Sequence, residues 1–370
     1  MADHDRILAA AVGEIHGQAR PGQQAMADAV ATALEGGPHL LVQAGTGTGK
    51  SLGYLAPALA RCVETDSRVI VATATLALQA QLATKDIPTA LDAVQAVTGR
   101  RPKAAILKGR TNYACLYRAR QGERPDQDSL IGSAALADAA TMGKGDDVSK
   151  LGAEVLALRE WVEEEALRLD RPPTLDGVAL PAWELRALRE WVEEEAERRG
   201  LGDRDDAPSH TQRGWAQVSI PTRECLGVAS CPFGTECFVE ESRERARGAQ
   251  LVVTNHALLA INAMHGGTAL PEHEALIVDE AHELVSRITT AATDELTPGI
   301  VDRTARRVLD WVDDDLGSDF LAQADVLRAA LDESELARVT QASAPLPYAA
   351  AQLRDVARRV VSALGKSTDD

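Results

Sequence analysis

Residues 44–51 read Ala-Gly-Thr-Gly-Thr-Gly-Lys-Ser and lie between the apolar run His39–Gln43 and the helix-like run Leu52–Cys62. Strand, glycine turn and helix in that order form the frame of a phosphate-binding loop. Alternating Gly45, Gly47 and Gly49 let successive backbone N–H groups turn inward around an anion, where a side chain would block the approach. The helix that follows adds the positive end of its dipole. Lys50 can then reach the β- and γ-phosphates, and the Ser51 hydroxyl can ligate Mg²⁺. Ala44 replaces the usual first glycine and is small enough to fit, and Thr46 and Thr48 complete the loop. The expectation is an α/β chain that binds a nucleoside triphosphate, with ATP and Mg²⁺ as its ligands.

Further strand signals support a parallel sheet. Val69–Thr73 is a short β-branched run that leads into residues 74–81, which have helical spacing. Ala104–Leu107, Leu251–Asn255 and Ala275–Val278 are the other strand candidates, and the last ends in Asp279-Glu280-Ala281-His282. Acids at the carboxyl end of a buried strand, downstream of a phosphate loop, fit the second nucleotide motif. Asp279 would hold the Mg²⁺ shell, Glu280 would orient and polarise the attacking water, and His282 could couple nucleotide state to the rest of the protein. Upstream of the loop, Arg20 and Gln23 are the adenine-side candidates, since the Gln23 carboxamide offers both a donor and an acceptor. Thr73 and Thr75 fall at the carboxyl edge of the sheet, where their hydroxyls either cap the next helix or meet a phosphate.

From Arg100 to Arg120 the cations Arg100, Arg101, Lys103, Lys108, Arg110, Arg118 and Arg120 occur without an acid, with Asn112, Tyr113 and Tyr117 interleaved. Such a stretch suits a nucleic-acid backbone with base stacking, or else a solvated charged face. Residues 121–220 are acidic and helical. They contain one duplication, Ala-Leu-Arg-Glu-Trp-Val-Glu-Glu-Glu-Ala at 157–166 and again at 187–196. Leu158, Trp161 and Val162 share a helical face, as do Leu188, Trp191 and Val192, so an insertion that packs helix on helix is expected. Gly143–Asp147 and Gly200–Ser209 read as connectors. Cys225, Cys231 and Cys237 then follow at spacings of six, with Cys115 a fourth ligand candidate. Four thiolates suit a structural Zn²⁺ or an iron–sulfur cluster, and spacings wider than C-x₂-C favour the cluster. Cys62 sits on the apolar helix after the loop and reads as core.

The formal net charge of −17 argues against a basic tail that coats nucleic acid, but a local basic groove remains compatible with it. No apolar run approaches the ~20 residues of a membrane span, and the N-terminus lacks the features of a signal peptide. A soluble, cytoplasmic protein with no membrane partner is expected.

Together these motifs resemble a known group. The glutamine, phosphate loop and Asp-Glu-Ala-His order is similar to superfamily 2 helicases. Lys108-Gly-Arg-Thr-Asn-Tyr-Ala-Cys115, the cysteine trio and Val253-Thr-Asn-His256 narrow the likeness to the DinG/XPD group of iron–sulfur DNA helicases, the bacterial DinG-like members most closely. The resemblance covers roughly residues 15–290 and implies a RecA-like P-loop parallel sheet, an inserted iron–sulfur helical domain and a C-terminal helical, arch-like segment. In these terms residues 1–110 begin the first motor lobe, 111–245 hold the insertion, 246–290 complete the lobe and 291–370 start the arch. It further implies a [4Fe–4S] cluster on Cys115, Cys225, Cys231 and Cys237, and 5′-to-3′ movement on single-stranded or forked DNA driven by ATP hydrolysis, in DNA repair. Gln43 stands where the group usually has Glu, and the Cys115–Cys225 spacing is long because of the duplicated helix. The chain ends inside the apparent arch, so the second motor lobe is expected to be missing from it, as is the nuclease domain found at the front of some relatives. The alternative is a non-catalytic nucleotide- and DNA-binding half-module with a structural zinc. A small-molecule kinase or transport ATPase does not fit the Asp-Glu-Ala-His tetrad.

Overall fold

The computed structural model describes residues 3–45, 48–121, 147–169, 201–334, 338–339 and 344–365. The chain divides into two compact units, Met1–Ala292 and Thr293–Asp370. In the first, β1 (Val69–Thr73), β2 (Ala104–Ile106), β3 (Leu251–Asn255) and β4 (Ala275–Val278) make a parallel sheet in the order β2-β3-β1-β4. Val69 pairs with Leu251 on one side and Ala275 on the other, which sets the register of the central strands.

Every residue of β1 and β3 is buried, so an unbroken apolar or β-branched run is needed where an alternating one would leave a polar face inside. Val69, Val71, Leu251 and Val253 point to one face, against α1 (Asp3–Glu14), α2 (Pro21–Leu34), α3 (Lys50–Thr65) and α5 (Ile87–Thr98). Ile70 and Val252 point to the other, towards α9 (Phe238–Arg247) and α10 (His256–Met264). Full burial of each such side chain stabilises by about 1.5–3 kcal/mol, which makes this pair of strands the spine of the unit. A short α4 (Leu76–Gln81) follows β1, and the Thr75 hydroxyl caps it by accepting from the Leu78 N–H at 3.2 Å. Thr73 donates to the Thr75 and Thr254 carbonyls at 3.1 and 3.4 Å. Both hydroxyls therefore serve the backbone.

The expected strand at His39–Gln43 is not formed: residues 37–45 run without a ladder, and Leu41 is 94 % exposed. Leu40, Leu41 and Val42 are 40 %, 94 % and 44 % exposed, so the segment buries little apolar surface to offset the entropy of ordering it as a strand.

Between β2 and β3 the chain builds a second apolar cluster from α6 (Leu116–Gln121), α7 (Asp147–Leu169), α8 (Gln212–Val218) and the start of α9. Leu158 and Val162 of the first duplicated segment are fully buried in it, with Trp161 half-buried 6.3 Å from the Trp215 ring. The second copy, 187–196, lies outside the described residues. Gly202 takes φ +59°, and a Cβ there would stand 2.6 Å from the Phe238 ring, so the chain needs glycine to pass this close.

After β4, α11 (Leu284–Ala292) ends the first unit. The regular elements of the second unit, among its described residues, are helices: α12 (Pro298–Val308), α13 (Asp314–Asp332) and α14 (Pro345–Leu364) pack around Val301, Phe320, Leu327, Leu353 and Val360. Thr297 and Asp313 cap the first two by accepting from Ile300 and Leu316 N–H groups. Among the described residues no helix is long and apolar enough to cross a membrane.

Candidate nucleotide site and cysteine pocket

The phosphate loop meets the end of β4 at the carboxyl edge of the sheet, where ligands of open α/β sheets bind. Gly49 precedes α3 with φ +81°, and a Cβ on it would lie 2.4 Å from the Gln23 amide nitrogen. That amide donates to the Gly49 carbonyl at 2.8 Å, which joins the start of α2 to the loop. Thr48 closes the turn by donating to the Gly45 carbonyl at 2.8 Å; Thr46 and Gly47 lie outside the described residues. Arg20 and Gln23 open on one cavity of about 400 Å³ that Leu8, Val12 and Gly17 also line.

Lys50 Nζ donates to Glu280 Oε1 at 2.5 Å, so the two residues expected to act on the terminal phosphate and the attacking water are paired with each other. The lysine beside it holds the Glu280 carboxyl below the usual carboxylate range. Glu280 itself takes a left-handed φ of +52°, a strained backbone for a residue with a side chain. His282 is exposed, with Nδ1 3.4 Å from Glu280 Oε2. Asp279 is held at every polar atom. Its N–H donates to the Ala72 carbonyl at 2.9 Å, Oδ1 accepts from the Glu280 N–H at 3.0 Å, and Oδ2 accepts from the Tyr54 hydroxyl at 3.2 Å. Its carbonyl accepts from His256 Nε2 at 2.9 Å. Burial first, and then the Asp279 charge, push the Tyr54 hydroxyl well above its ordinary pKa, so it stays a donor. Tyr54 touches both Ser51 and Asp279, so a hydroxyl and a carboxylate oxygen converge there. Such a hard oxygen set fits Mg²⁺.

The sequence reading did not single out Tyr54, and it used His256 only as the end of the Val253-Thr-Asn-His256 likeness, with no role in the nucleotide site. Tyr54 lies four residues after Lys50, one helical turn on and on the same face. His256 follows the last residue of a buried strand, a position that faces the same sheet edge.

Cys115, Cys225, Cys231 and Cys237 line one pocket with Tyr113, Leu116, Ile220 and Phe238. Arg110 Nη1 and the Gly227 N–H donate to Cys225 Sγ at 3.1 and 3.4 Å. Burial pushes the Cys115 thiol up, and the other three cysteines add to the effect. Among the described residues, the one set of three or more metal-ligating side chains with ligand atoms all within 4.8 Å is His4, Asp5 and Asp28. The cysteine sulfurs are therefore more widely spread than that. Cys62 is apart from them, buried on α3 with its thiol pushed up to about 12 by burial.

Arg100, Arg101, Lys103 and Arg120 of the cationic stretch are exposed, while Lys108 and Arg118 are buried, and most of the seven have partners within the protein. Arg100 donates to the Val63 carbonyl at 2.6 Å, and Arg101 is paired with Asp92. Lys108 is 5 % exposed, 2.7 Å from both Asp203 and Asp205. Arg110 reaches Glu240, Arg118 Glu224, and Arg120 Glu163 and Glu236. Tyr113 is buried, its hydroxyl accepting from the Lys108 N–H and bonded to Ser242, and burial pushes it to about 12. It offers no stacking face. Apart from Asp92, the acids that pair with these cations come from residues 163–240, too far along the chain for local sequence to reveal.

Residues 20–112 match the DEAD/DEAH box helicase family. The chain is 41 % identical over 342 residues to the ATP-dependent helicase DinG of Mycobacterium tuberculosis (strain ATCC 25618 / H37Rv), covering 90 % of this chain and 44 % of that protein. The sequence is DinG-like. It is also 33 % identical over 269 residues to the ATP-dependent DNA helicase YoaA of Escherichia coli (strain K12), 72 % of this chain and 33 % of YoaA. A third relative, the ATP-dependent DNA helicase DinG of Salmonella choleraesuis (strain SC-B67), is 31 % identical over 285 residues, covering 75 % and 34 % respectively. The DinG-like chain thus spans less than half the length of the relatives it matches. The matched family segment contains the phosphate loop and ends beside the first cysteine of the pocket.

Proposed function

We propose that this chain is the ATP-binding first motor lobe of a DinG-like, ATP-dependent DNA helicase, with a [4Fe–4S] cluster in the insertion and an arch-like second unit. The observation that carries the reading is the meeting of Lys50, Ser51, Asp279 and Glu280 at one sheet edge, with Lys50 and Glu280 in contact at 2.5 Å. Arg20 and Gln23 face the cavity beside the loop and would receive the base. On nucleotide binding Lys50 transfers from Glu280 to the phosphate oxygens, and the freed Glu280 carboxylate accepts a proton from the attacking water. Mg²⁺ held by Ser51 and Asp279 supplies neutralisation of the developing phosphate charge. The relatives are more than twice as long as this chain, and we assign the rest of the hydrolytic cleft to the part it does not span. The DNA partner, single-stranded or forked and tracked 5′ to 3′, follows from the likeness to DNA helicases.

Four cysteines lining one pocket, with Cys225, Cys231 and Cys237 at spacings of six that are wider than C-x₂-C, support a cluster over zinc. The cluster would supply a rigid, redox-active crosslink between Cys115 and the Cys225–Cys237 loop.

The test is ATP hydrolysis by the chain with and without single-stranded DNA, beside Lys50→Ala, on protein purified without oxygen and assayed for iron and sulfide. DNA-stimulated turnover, or ATP binding that Lys50→Ala abolishes, together with an absorption band near ~400 nm, is expected. ATP binding unchanged in Lys50→Ala overturns the nucleotide site. Colourless, zinc-loaded protein overturns the cluster.

A further inference from the structure

His256 is the first residue of α10 and is 0 % exposed. It follows β3, which is not a neighbour of β4 in the sheet: β1 lies between them. Its imidazole therefore reaches across the end of β1 to the end of β4, where Nε2 is 2.9 Å from the Asp279 carbonyl oxygen. A carbonyl can only accept, so Nε2 carries the proton. On its other side the Asp279 N–H is fixed by Ala72 at 2.9 Å, and the peptide that follows leads into Glu280 at φ +52°. A left-handed glutamate persists only where its surroundings hold it. His256 bonds the backbone carbonyl at that turn from another element, while the Asp279 carboxylate is bonded by Tyr54 and by the turn's own Glu280 N–H.

We propose that His256 is a positioning residue of the nucleotide site, holding the Asp279–Glu280 turn so that the Asp279 carboxylate faces Mg²⁺ and the Glu280 carboxylate faces the attacking water. This rests on the nucleotide reading above. It differs from the role of an ordinary buried histidine because the group it holds is the backbone of the metal-binding acid. Its effect should therefore fall on metal-dependent binding and spare the contacts that ATP makes without metal. Outer partners that orient a metal ligand typically govern metal affinity by about 10–100-fold.

The experiment is equilibrium binding of a fluorescent ATP analogue to the 370-residue chain, titrated with Mg²⁺ and repeated in EDTA, for wild type, His256→Gln and His256→Asn. The glutamine amide extends as far as Nε2, while the asparagine amide is one methylene shorter. His256→Asn should need about tenfold more Mg²⁺ for half-saturation, with EDTA binding within about twofold of wild type. His256→Gln should restore the wild-type requirement. An unchanged requirement in both variants, or EDTA binding that falls as far as Mg²⁺-dependent binding, overturns the proposal. Should His256→Asn not fold, the glutamine variant decides: a folded His256→Gln chain that needs tenfold more Mg²⁺ overturns it as well. Wild type that binds no ATP overturns the nucleotide reading and this one together. Wild-type binding that depends on Lys50, with no His256 effect on Mg²⁺, overturns this one alone.

Discussion

The nucleotide edge and the cysteine pocket belong to the same unit but are held by opposite forces. At the edge, the half-buried charges of Lys50 and Glu280 are paired with one another, the buried Tyr54 hydroxyl donates to Asp279, and the exposed His282 lies near Glu280. Such pairs contribute little to stability and can be exchanged for ligand contacts at small cost. Around the cysteines, Trp215, Tyr113, Phe238 and Leu158 are buried in an apolar cluster, and the polar groups there meet fixed partners, as Trp215 Nε1 does in donating to the Thr111 carbonyl at 2.7 Å. One region is built to be rearranged by its ligand, the other to stay in place.

The sharpest way to break this contrast is to change the edge and find that the fold suffers. Glu280→Gln removes the carboxylate that would accept the proton from water but keeps the side-chain shape. Turnover should drop by about 10²–10⁴-fold, the usual contribution of a general base, while the melting temperature stays near that of wild type. A normal hydrolysis rate would remove Glu280 from the chemistry.

The converse change belongs in the insertion. Trp215 is 1 % exposed and cannot be replaced by solvent without leaving a cavity. Trp215→Ala should destabilise the first unit by about 3–5 kcal/mol in denaturant unfolding. ATP affinity measured where the variant is still folded should be unaffected. A loss below about 1 kcal/mol would show that the cluster around Trp215 is not the rigid element claimed here.

This difference in forces also explains what could be read in advance. Val69–Thr73 and Leu251–Asn255 are legible as strands because burial on both faces leaves a continuous apolar run in the sequence, and the partly exposed Ala275–Val278 because all four of its residues are apolar. The phosphate loop and the Asp279–Glu280 pair are legible because their chemistry demands fixed residue types at fixed spacing. His39–Gln43 was not legible as a non-strand, since its composition is that of a strand and only the exposure of Leu40, Leu41 and Val42 in the folded chain sets it apart. The partners of the cations from Arg100 to Arg120 were not legible for a related reason. The local sequence contains no acid, yet Lys108 finds Asp203 and Asp205, and Arg120 finds Glu163, through tertiary folding alone. Tyr54 carries no motif and His256 only closes Val253-Thr-Asn-His256; what gives both a role is which strand end they meet.

The smallest effect tests the edge most directly, because it asks whether Lys50 and Glu280 are coupled before any nucleotide arrives. Lys50 holds the Glu280 carboxyl below its ordinary range. A carboxyl lowered in the folded state contributes stability above its unfolded pKa of about 4.3, and loses it as pH falls through the lower folded value. In a double-mutant cycle of Lys50→Met and Glu280→Gln, the coupling should be about 1 kcal/mol or less at pH 7, because both side chains are still partly exposed, at 21 % and 25 %. It should stay level down to about pH 5 and fade below pH 4. Added Mg²⁺-ATP should abolish it at pH 7, since the phosphates then take the lysine. A coupling that survives saturating nucleotide would mean that Lys50 never leaves Glu280, and the edge would then be as fixed as the pocket.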